Sequence, residues 1–185
     1  MRLTVNFLAF LAGWFGSVLG AAAGMPWVGP VIVTMVAALH LSIVPQPRRE
    51  LVLLLSAAAL GLVIDSLMAA LGWVRFETGV VVEGLAPYWI IVMWVGFATT
   101  LNTWMRWLRA YPLLAVGFGL LGGPLVYWFG SFLGALELNE SPMAVIGIAL
   151  CWGLVMPVLY ALARRFDGTL TSAGDMPTHL AARRT

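Results

Sequence analysis

The sequence predicts an all-α membrane protein, a bundle of six transmembrane helices with both termini in the cytoplasm. The chain of 185 residues is 62% hydrophobic and only 10% charged, whereas a soluble domain carries about 25% charged residues. This composition excludes an ordinary cytosolic enzyme, a disordered tail protein and a nucleic-acid-binding protein. Two further observations specify the bundle: the spacing of the apolar segments and the placement of the arginines.

The apolar residues form segments that are long enough to cross a bilayer, which requires roughly 20 mostly apolar residues. Six segments qualify, namely residues 4–23, 26–45, 50–72, 86–108, 112–136 and 142–163. Prolines at positions 45, 47 and 112 lie between segments and interrupt helices there. Ser141 followed by Pro142 predicts an N-cap with proline at the first helical position. We expect one transmembrane domain over residues 1–165.

The arginines orient the bundle, because cytoplasmic loops are enriched in Lys and Arg. In a six-helix arrangement one side carries Arg2, Arg48, Arg49, Arg106, Arg109, Arg164 and Arg165. The other side carries Arg75 together with Glu77, Glu83, Glu137 and Glu140. This distribution predicts that both termini face the cytoplasm and that residues 166–185 form a flexible cytoplasmic tail.

Several kinds of chemistry are excluded by composition. All ten cations are arginines, so the chain has no lysine for a Schiff base, a pyridoxal phosphate linkage or a phosphate-binding P-loop. The single cysteine, Cys151, permits no disulfide within the chain. No cluster has the spacing of a metal site, and no hydrolase motif is present. We expect no cofactor and no metal, and the sequence favours a non-enzymatic role without deciding it.

Asp65 is the most informative residue, because it lies inside a predicted span. At a rise of 1.5 Å per residue it lies about 12 Å below the outer boundary and about 22 Å from the inner one. Its insertion costs roughly 2.5–3.5 kcal/mol, so it should face the bundle interior or a cavity. Tyr127 lies at a comparable depth and is a candidate partner. Asp65 either couples protons or binds a ligand, or it holds helices together by hydrogen bonds; the two interpretations are equally open.

A second group of polar residues lies near the cytoplasmic boundary. His40, Asn6 and Asn102 occupy similar depths and predict a polar pocket that opens toward the cytoplasm. Its rim would consist of Arg48, Arg49, Arg106 and Arg109, which could bind a phosphate or lipid head group. The simpler interpretation, which we favour, is that these arginines follow the positive-inside rule. We also favour His40 as a hydrogen-bonding strut over a catalytic base.

Aromatic and small residues predict the interior of the bundle. Ser17 lies on a polar and glycine stripe of the first helix, and an apolar cavity facing it would be lined by Trp14, Trp94, Trp128 and Trp152. Contact with the core or with lipid is the commoner fate of such residues. Glycines at fourfold spacing allow close helix packing within the bundle or a homo-oligomer interface. The octets at residues 14–21 and 128–135 are identical at all but one position. This similarity arises either from a duplication or, as we favour, from convergence.

The chain also resembles a known family over residues 5–165. The residues that carry the resemblance are Asn6–Phe10, Gly13–Phe15, Gly24–Pro30, His40, Asp65, Pro87–Ile90 and Gly122–Leu125. They resemble small bacterial inner-membrane proteins grouped as domain of unknown function 2878. The resemblance implies an inner-membrane location and no particular activity, so no catalytic residue follows from it. Because genes of this group often neighbour enzymes that modify membrane fatty acids, it also implies a link to lipid.

Three functional hypotheses follow. The first is a carrier or binding subunit for an apolar or amphipathic small molecule, which uses Asp65 and the pocket of His40 and Asn102. The second is an accessory or enzymatic component of membrane lipid modification, which presents lipid to a cytosolic partner. The third is a structural subunit held by its glycine faces. The expected partners are membrane lipid, a small-molecule ligand and a second membrane or cytosolic chain, with no nucleic acid.

Overall fold

The protein is mostly helical. A computed structural model describes residues 3–170, which form six α-helices, a short 3₁₀ helix and a two-stranded ribbon. The helices are α1 (Leu3–Ala22), α2 (Val28–Ile43), α3 (Pro47–Ala70), α4 (Tyr88–Leu101), α5 (Pro112–Phe132) and α6 (Pro142–Arg165). The 3₁₀ helix covers Arg106–Ala110, and the strands are β1 (Val74–Arg75) and β2 (Glu137–Leu138). The all-α prediction is confirmed. Arg2 and residues 171–185 of the predicted tail lie outside the described residues.

The helix starts follow from proline and capping residues in the sequence. Pro47, Pro112 and Pro142 each stand in the first turn of a helix, where the missing N–H has no helical partner to lose. The Ser141 side chain accepts a hydrogen bond from the Ala144 backbone N–H at 3.3 Å. The predicted cap at α6 is therefore confirmed.

Four helices, α1, α3, α5 and α6, are long and apolar enough to cross a membrane. The other two are apolar but shorter, with 16 residues in α2 and 14 in α4. The predicted fourth segment, residues 86–108, is not one continuous α-helix, because α4 ends at Leu101 and a turn leads into the 3₁₀ helix. The hydroxyls of Thr99 and Thr103 bond to backbone oxygens one turn earlier, and such bonds compete with regular helix geometry.

The helices run in alternating directions, and α4 lies at the centre. It packs against α1, α2, α3 and α6, while α5 packs mainly against α6. At one end the ribbon joins the loop after α3 to the loop after α5, with Arg75 opposite Glu137. Their side chains form an exposed ion pair at 2.6 Å. The sequence placed both of these residues on the side opposite the other arginines.

The exterior of the bundle is strongly apolar. Leu113, Phe132, Met143 and Leu154 have between 73% and 88% of their side-chain surface exposed. A soluble monomer rarely exposes large contiguous apolar areas, and lipid is the usual environment of such a surface. The buried residues form two clusters, one around Leu53, Ala98 and Leu159 and the other around Met68, Trp89 and Ile148.

Candidate functional site

An apolar cavity of about 220 Å³ lies between α1, α4, α5 and α6. Its wall is formed by aromatic rings, methionines, aliphatic side chains and the glycines of α5. The aromatic residues are Phe7, Phe10, Trp14, Trp89, Trp94, Phe97, Trp104, Phe118, Tyr127 and Trp152. No charged side chain lines the cavity among the residues described. Such a space accommodates an apolar molecule, because a charged one would be desolvated there without a partner.

Glycines of α5 shape this cavity in two ways. A Cβ atom on Gly119 would overlap the Trp152 backbone oxygen, and one on Gly123 would overlap the Trp152 ring. These two positions therefore let α5 and α6 pack closely. Gly122 also lines the cavity, and there a Cβ would meet only the Phe118 ring, at 3.8 Å. The absence of a side chain at Gly122 leaves room in the cavity itself.

The cavity opens sideways between α1 and α5. Phe7 of α1 and both Phe118 and Val126 of α5 line the cavity and are 37%, 46% and 37% exposed. Phe118 and Val126 lie well inside α5, at least six residues from either end of that helix. The opening is therefore on the flank of the bundle and not at either of its ends.

Asp65 lies behind the cavity wall and is fully buried. Its Oδ2 accepts a hydrogen bond from Trp94 Nε1 at 2.7 Å, and its Oδ1 accepts one from the Tyr127 hydroxyl. Trp94 in turn stacks on Trp152, with ring centroids 4.8 Å apart. Trp94, Tyr127 and Trp152 all line the cavity, whereas Asp65 does not. The carboxylate of Asp65 thus holds wall residues from α4 and α5 in position.

The pocket predicted around His40 and Asn102 is a closed polar cluster in the structure, with its centre at Glu50. His40, Glu50 and Asn102 are between 0% and 2% exposed. His40 Nε2 lies 3.1 Å from Glu50 Oε1, and Asn102 Nδ2 donates to Glu50 Oε2 at 3.0 Å. The Gly168 N–H also donates to Oε2, at 2.8 Å. The expectation of a pocket open to the cytoplasm is therefore wrong, because the segment after α6 covers it.

Glu50 is the functional candidate that sequence reasoning missed. In the sequence it stands only as an acidic residue at the start of α3, where a carboxylate suits the helix dipole. One signal could have found it: Glu50 is an acidic residue beside Arg48 and Arg49 on the side that carries most arginines. A carboxylate there needs a partner, and His40 is ten residues away in sequence across the turn from α2 to α3.

The remaining predicted site residues lie elsewhere. Asn6 does not join the His40 cluster. Its Oδ1 accepts a hydrogen bond from Thr103 Oγ1 at 2.5 Å, and its Nδ2 donates one to the Thr99 backbone oxygen at 3.3 Å. Ser17 bonds to the Gly13 backbone oxygen at 2.8 Å and packs against α2 at Gly29. Trp128 is 46% exposed. Of the predicted cavity residues, Trp14 and Trp94 line the cavity, while Ser17 and Trp128 do not. Because Trp14 and Trp128 occupy the same position in the two similar octets, the octets have different environments.

The predicted arginine rim divides into two pairs. Arg48 and Arg49 are exposed. Arg106 and Arg109 both donate to Asp167, the latter at 2.8 Å. Partial burial raises the pKa of Asp167, but hydrogen bonds from Thr169 and Arg109 and the charge of Arg109 outweigh it, so the pKa lies below its ordinary value. Half of the rim is thus engaged in holding the segment after α6.

This segment, residues 167–170, is bound at several points. Gln46 N–H donates to the Gly168 oxygen at 2.9 Å, and Gln46 Nε2 donates to the Leu170 oxygen at 2.7 Å. Together with the bonds of Asp167 and of the Gly168 N–H, these contacts attach the start of the predicted tail to α3 and to the 3₁₀ helix. Within residues 3–170, no group of three or more His, Cys, Asp or Glu side chains could hold a metal ion.

Comparison with known proteins adds a family but no activity. A family model with the description "Protein of unknown function (DUF2878)" matches residues 3–158. Neither the curated proteins nor the solved structures gave a match to the chain. The matched range includes the cavity, Asp65 and the His40–Glu50–Asn102 cluster, and it ends before the segment that covers the cluster.

Proposed function

The chain belongs to the DUF2878 family of proteins of unknown function, and we propose that it binds an apolar or amphipathic small molecule within the bacterial inner membrane. The proposed architecture is a six-span bundle with both termini in the cytoplasm. The observation that carries the functional proposal is the apolar cavity between α1, α4, α5 and α6, which opens on the flank of the bundle.

Membrane insertion of all six helices is supported by their alternating directions. At a rise of 1.5 Å per residue, α2 and α4 are only about 24 and 21 Å long, so residues next to them must complete the crossing of a hydrocarbon core of about 30 Å. The ends of α2, α4 and α6 lie together with the arginines, as the contacts among His40, Glu50, Asn102 and Gly168 require. The positive-inside rule assigns this end to the cytoplasm.

Labelling of single cysteines tests the orientation. Cys151 is the only cysteine, so a Cys151→Ala background can carry either Arg48→Cys or Glu77→Cys, both at exposed positions. In right-side-out membrane vesicles, a membrane-impermeant maleimide should label the cysteine at position 77. It should label the variant at position 48 only after the membrane is permeabilised. The opposite pattern, or labelling of both, would contradict the six-span orientation.

The cavity favours binding because its wall is apolar and its opening faces the predicted hydrocarbon region. A molecule dissolved in the bilayer can enter between α1 and α5 without crossing a polar surface. Asp65 supports this function by fixing Trp94 and Tyr127 in the wall. A carrier would use the same site and release the molecule after a change in the packing of α5 and α6 against the other helices.

A cavity-filling variant tests the proposal. Gly122→Trp places a large side chain in the cavity, because nothing but the Phe118 ring lies near a Cβ at that position. Gly117→Trp is the matched control, since position 117 is on the same helix, has open space around a Cβ and does not line the cavity. We expect mass spectrometry of the purified proteins to find a small molecule retained by wild type and by the control but not by Gly122→Trp.

The other two hypotheses make different predictions for the same proteins. A component of lipid modification predicts an altered fatty-acid profile in cells that carry Gly122→Trp and an unaltered one with Gly117→Trp. A purely structural subunit predicts that both variants retain the same partner chains and that no small molecule distinguishes them. Identical small-molecule content in all three proteins, with the fold intact, would refute binding in this cavity.

A further inference from the structure

The wall of the cavity presents almost no polar surface to the space that it encloses. Trp94 and Tyr127 line the wall but donate their hydrogen bonds to Asp65, which lies behind it. The indole nitrogens of the remaining wall tryptophans are bonded to the backbone or buried within the protein, namely those of Trp14, Trp89, Trp104 and Trp152. A polar group inside the cavity would lose its hydrogen bonds to water and gain none. The part of a ligand that lies inside is therefore hydrocarbon.

The cavity is long and narrow and runs along the helices. On α1 its wall extends from Phe7 to Val18, and on α5 from Phe118 to Gly130. These lengths are about 16 and 18 Å at a rise of 1.5 Å per residue. Because a volume of about 220 Å³ is spread over this length, the space suits one extended chain and not a compact ring system. Transmembrane helices are tilted by only about 20° on average, so the cavity is nearly parallel to the acyl chains of the surrounding bilayer.

One end of the cavity is closed. Val18, Trp89 and Leu136 line this end and are between 1% and 6% exposed. The loop between α3 and α4 covers it, because Trp89 donates to the Thr78 backbone oxygen at 3.0 Å and meets the Phe76 ring edge to face. The two-stranded ribbon lies at the same end of the bundle, which is the external end in the proposed orientation. A lipid of the outer leaflet therefore cannot insert a chain from this end.

The opening begins nearer to the other end. Phe7 and Phe118 stand at its edge, about 6 and 9 Å from the starts of α1 and α5. Leu114 and Leu121 flank Phe118 on the same face of α5, are 52% and 70% exposed and do not line the cavity. Phe118 therefore lies between the cavity and the lipid-facing surface. From there the opening continues along α5 to Val126, and the proposed orientation places its beginning in the inner leaflet.

We propose that the cavity holds one acyl chain of a phospholipid from the inner leaflet. The chain enters between Phe7 and Phe118, and its methyl end lies at the closed end, beside Val18 and Leu136. The ester groups and the head group stay outside the cavity, on the cytoplasmic side, so the apolar wall contacts only hydrocarbon. This inference rests on the proposed function and its orientation. It adds the class of the ligand, the direction of its chain and the leaflet from which it comes.

This placement differs from that of the lipid around the protein. In a bilayer the methyl ends of the chains from the two leaflets meet near the midplane. The helix α5 is about 31 Å long, and Gly130 lies about 27 Å from its start. A chain that fills the cavity therefore carries its methyl end past the midplane and close to the external end. A label on the methyl end distinguishes this chain from those of the surrounding lipid.

Photocrosslinking tests the inference. The protein is placed in vesicles of phosphatidylethanolamine and phosphatidylglycerol that contain a phosphatidylglycerol with a diazirine on one hexadecanoyl chain. In one probe the diazirine is at the methyl end, and in the other it is next to the ester. After illumination, mass spectrometry locates the modified residues. The methyl-end probe should modify Val18, Trp89 or Leu136, and the ester-end probe should modify Phe7 or Phe118.

Phe132 is the control position, because it is 73% exposed at the same end of α5. The methyl-end probe should modify Phe132 less than Leu136, although Leu136 is only 6% exposed. Gly122→Trp fills the cavity and should reduce the modification of Leu136 several-fold, whereas Gly117→Trp should leave it unchanged. The comparison of the two probes in the wild-type protein requires no variant, so it tests the inference even if Gly122→Trp does not fold.

Three results would overturn the inference. Modification of Val18 and Leu136 by the ester-end probe would reverse the direction of the chain. No modification of the closed end by the methyl-end probe would exclude a chain there. Stronger modification of the closed end by free hexadecanoic acid with the same methyl-end diazirine would assign the cavity to a free acid and not to a phospholipid.

These results are distinguishable from a failure of the proposed function. If one of them occurs while the purified wild type still retains a small molecule that Gly122→Trp lacks, the cavity binds a ligand of another class and the proposed function stands. If no such molecule is retained and neither lipid probe modifies the cavity, the proposed function fails as well.

Discussion

The Tyr127 hydroxyl of α5 donates a hydrogen bond to the carboxylate of Asp65 in α3, and both side chains are buried. These two helices otherwise pack mainly against other elements. The bond therefore links the α5–α6 hairpin to the rest of the bundle across the back of the cavity. Trp94 donates to the same carboxylate, so the two bonds together fix the positions of Tyr127 and Trp94 in the cavity wall.

Removal of the Tyr127 hydroxyl should destabilise the bundle. We expect Tyr127→Phe to lower the free energy of unfolding by about 0.6 kcal/mol, the average for hydrogen bonds between membrane helices, and by no more than about 1.7 kcal/mol, the largest value found. Denaturation in mixed micelles measures this change. The control is Tyr111→Phe, because Tyr111 is 57% exposed and its change should have little effect. Equal stability of the two variants would show that the bond to Asp65 contributes nothing.

Neutralisation of Glu50 should have a larger effect. The side-chain amide of the Glu50→Gln variant would place an N–H₂ group beside an existing donor in either orientation. Asn102 Nδ2 donates to Oε2 at 3.0 Å and to Oε1 at 3.3 Å, and the Gly168 N–H also donates to Oε2. Because hydrogen bonds to charged groups contribute more than neutral ones, we expect a loss of about 1.5–3 kcal/mol in the free energy of unfolding. Glu140→Gln, at an exposed position, serves as the control in the same denaturation experiment. A Glu50→Gln protein as stable as that control would refute a structural role for the cluster.

A methyl group at Gly168 should release the segment after α6. A Cβ there would lie 2.5 Å from the Gln46 backbone oxygen and 2.8 Å from Glu50 Cβ, so the segment must shift. We expect Gly168→Ala to increase the rate of tryptic cleavage after Arg164 and Arg165 several-fold, as followed by mass spectrometry of time points. Gly117→Ala has open space around its Cβ and should be cleaved at the wild-type rate. Unchanged cleavage of Gly168→Ala would mean that the segment is not held at this glycine.

The contribution of Asp167 should depend on pH. The pKa of its carboxyl is lowered from the ordinary value of 3.8, so the folded protein favours the ionised form. This stabilisation is present above pH 3.8 and is lost as the pH falls through the lowered pKa. We expect Asp167→Asn to have a lower melting temperature than wild type near neutral pH. The difference in melting temperature should shrink only when the pH falls below the ordinary pKa of 3.8. A difference that stays constant down to the lowest pH would show that the ion pairs of Asp167 do not stabilise the fold.

Some features of the site could be predicted from single residues. Asp65 stands out in the sequence because a short carboxylate cannot reach water from the middle of a span, and depth alone suggests Tyr127 beside it. Trp94 was predicted for a cavity wall but not as a donor to Asp65. Its place depends on the rotation of α4 relative to α3, which packing decides and a linear count of residues does not give.

Other features were beyond residue counting. Their predicted depth in the membrane places His40 near Asn102. Glu50 bonds to both of them, yet in the sequence it is only an acidic residue in the first turn of a helix. Asn6 shares their depth and faces Thr99 and Thr103 instead. Two octets of nearly identical sequence place one tryptophan, Trp14, in the cavity and the other, Trp128, on the surface. Equal depth or equal sequence does not fix the direction in which a side chain points.

The sequence by itself determined the helical class, the breaks at proline and the single carboxylate that had to be explained inside a span, because these depend on composition and on local backbone chemistry. Only the tertiary structure decided that α4 ends at Leu101, that residues 167–170 close the polar cluster and that a cavity opens between α1 and α5. These features arise from how six similar apolar helices pack. Since the surface of each helix is apolar all round, hydrophobicity cannot select the faces that meet, and glycine contacts and a few buried hydrogen bonds select them instead.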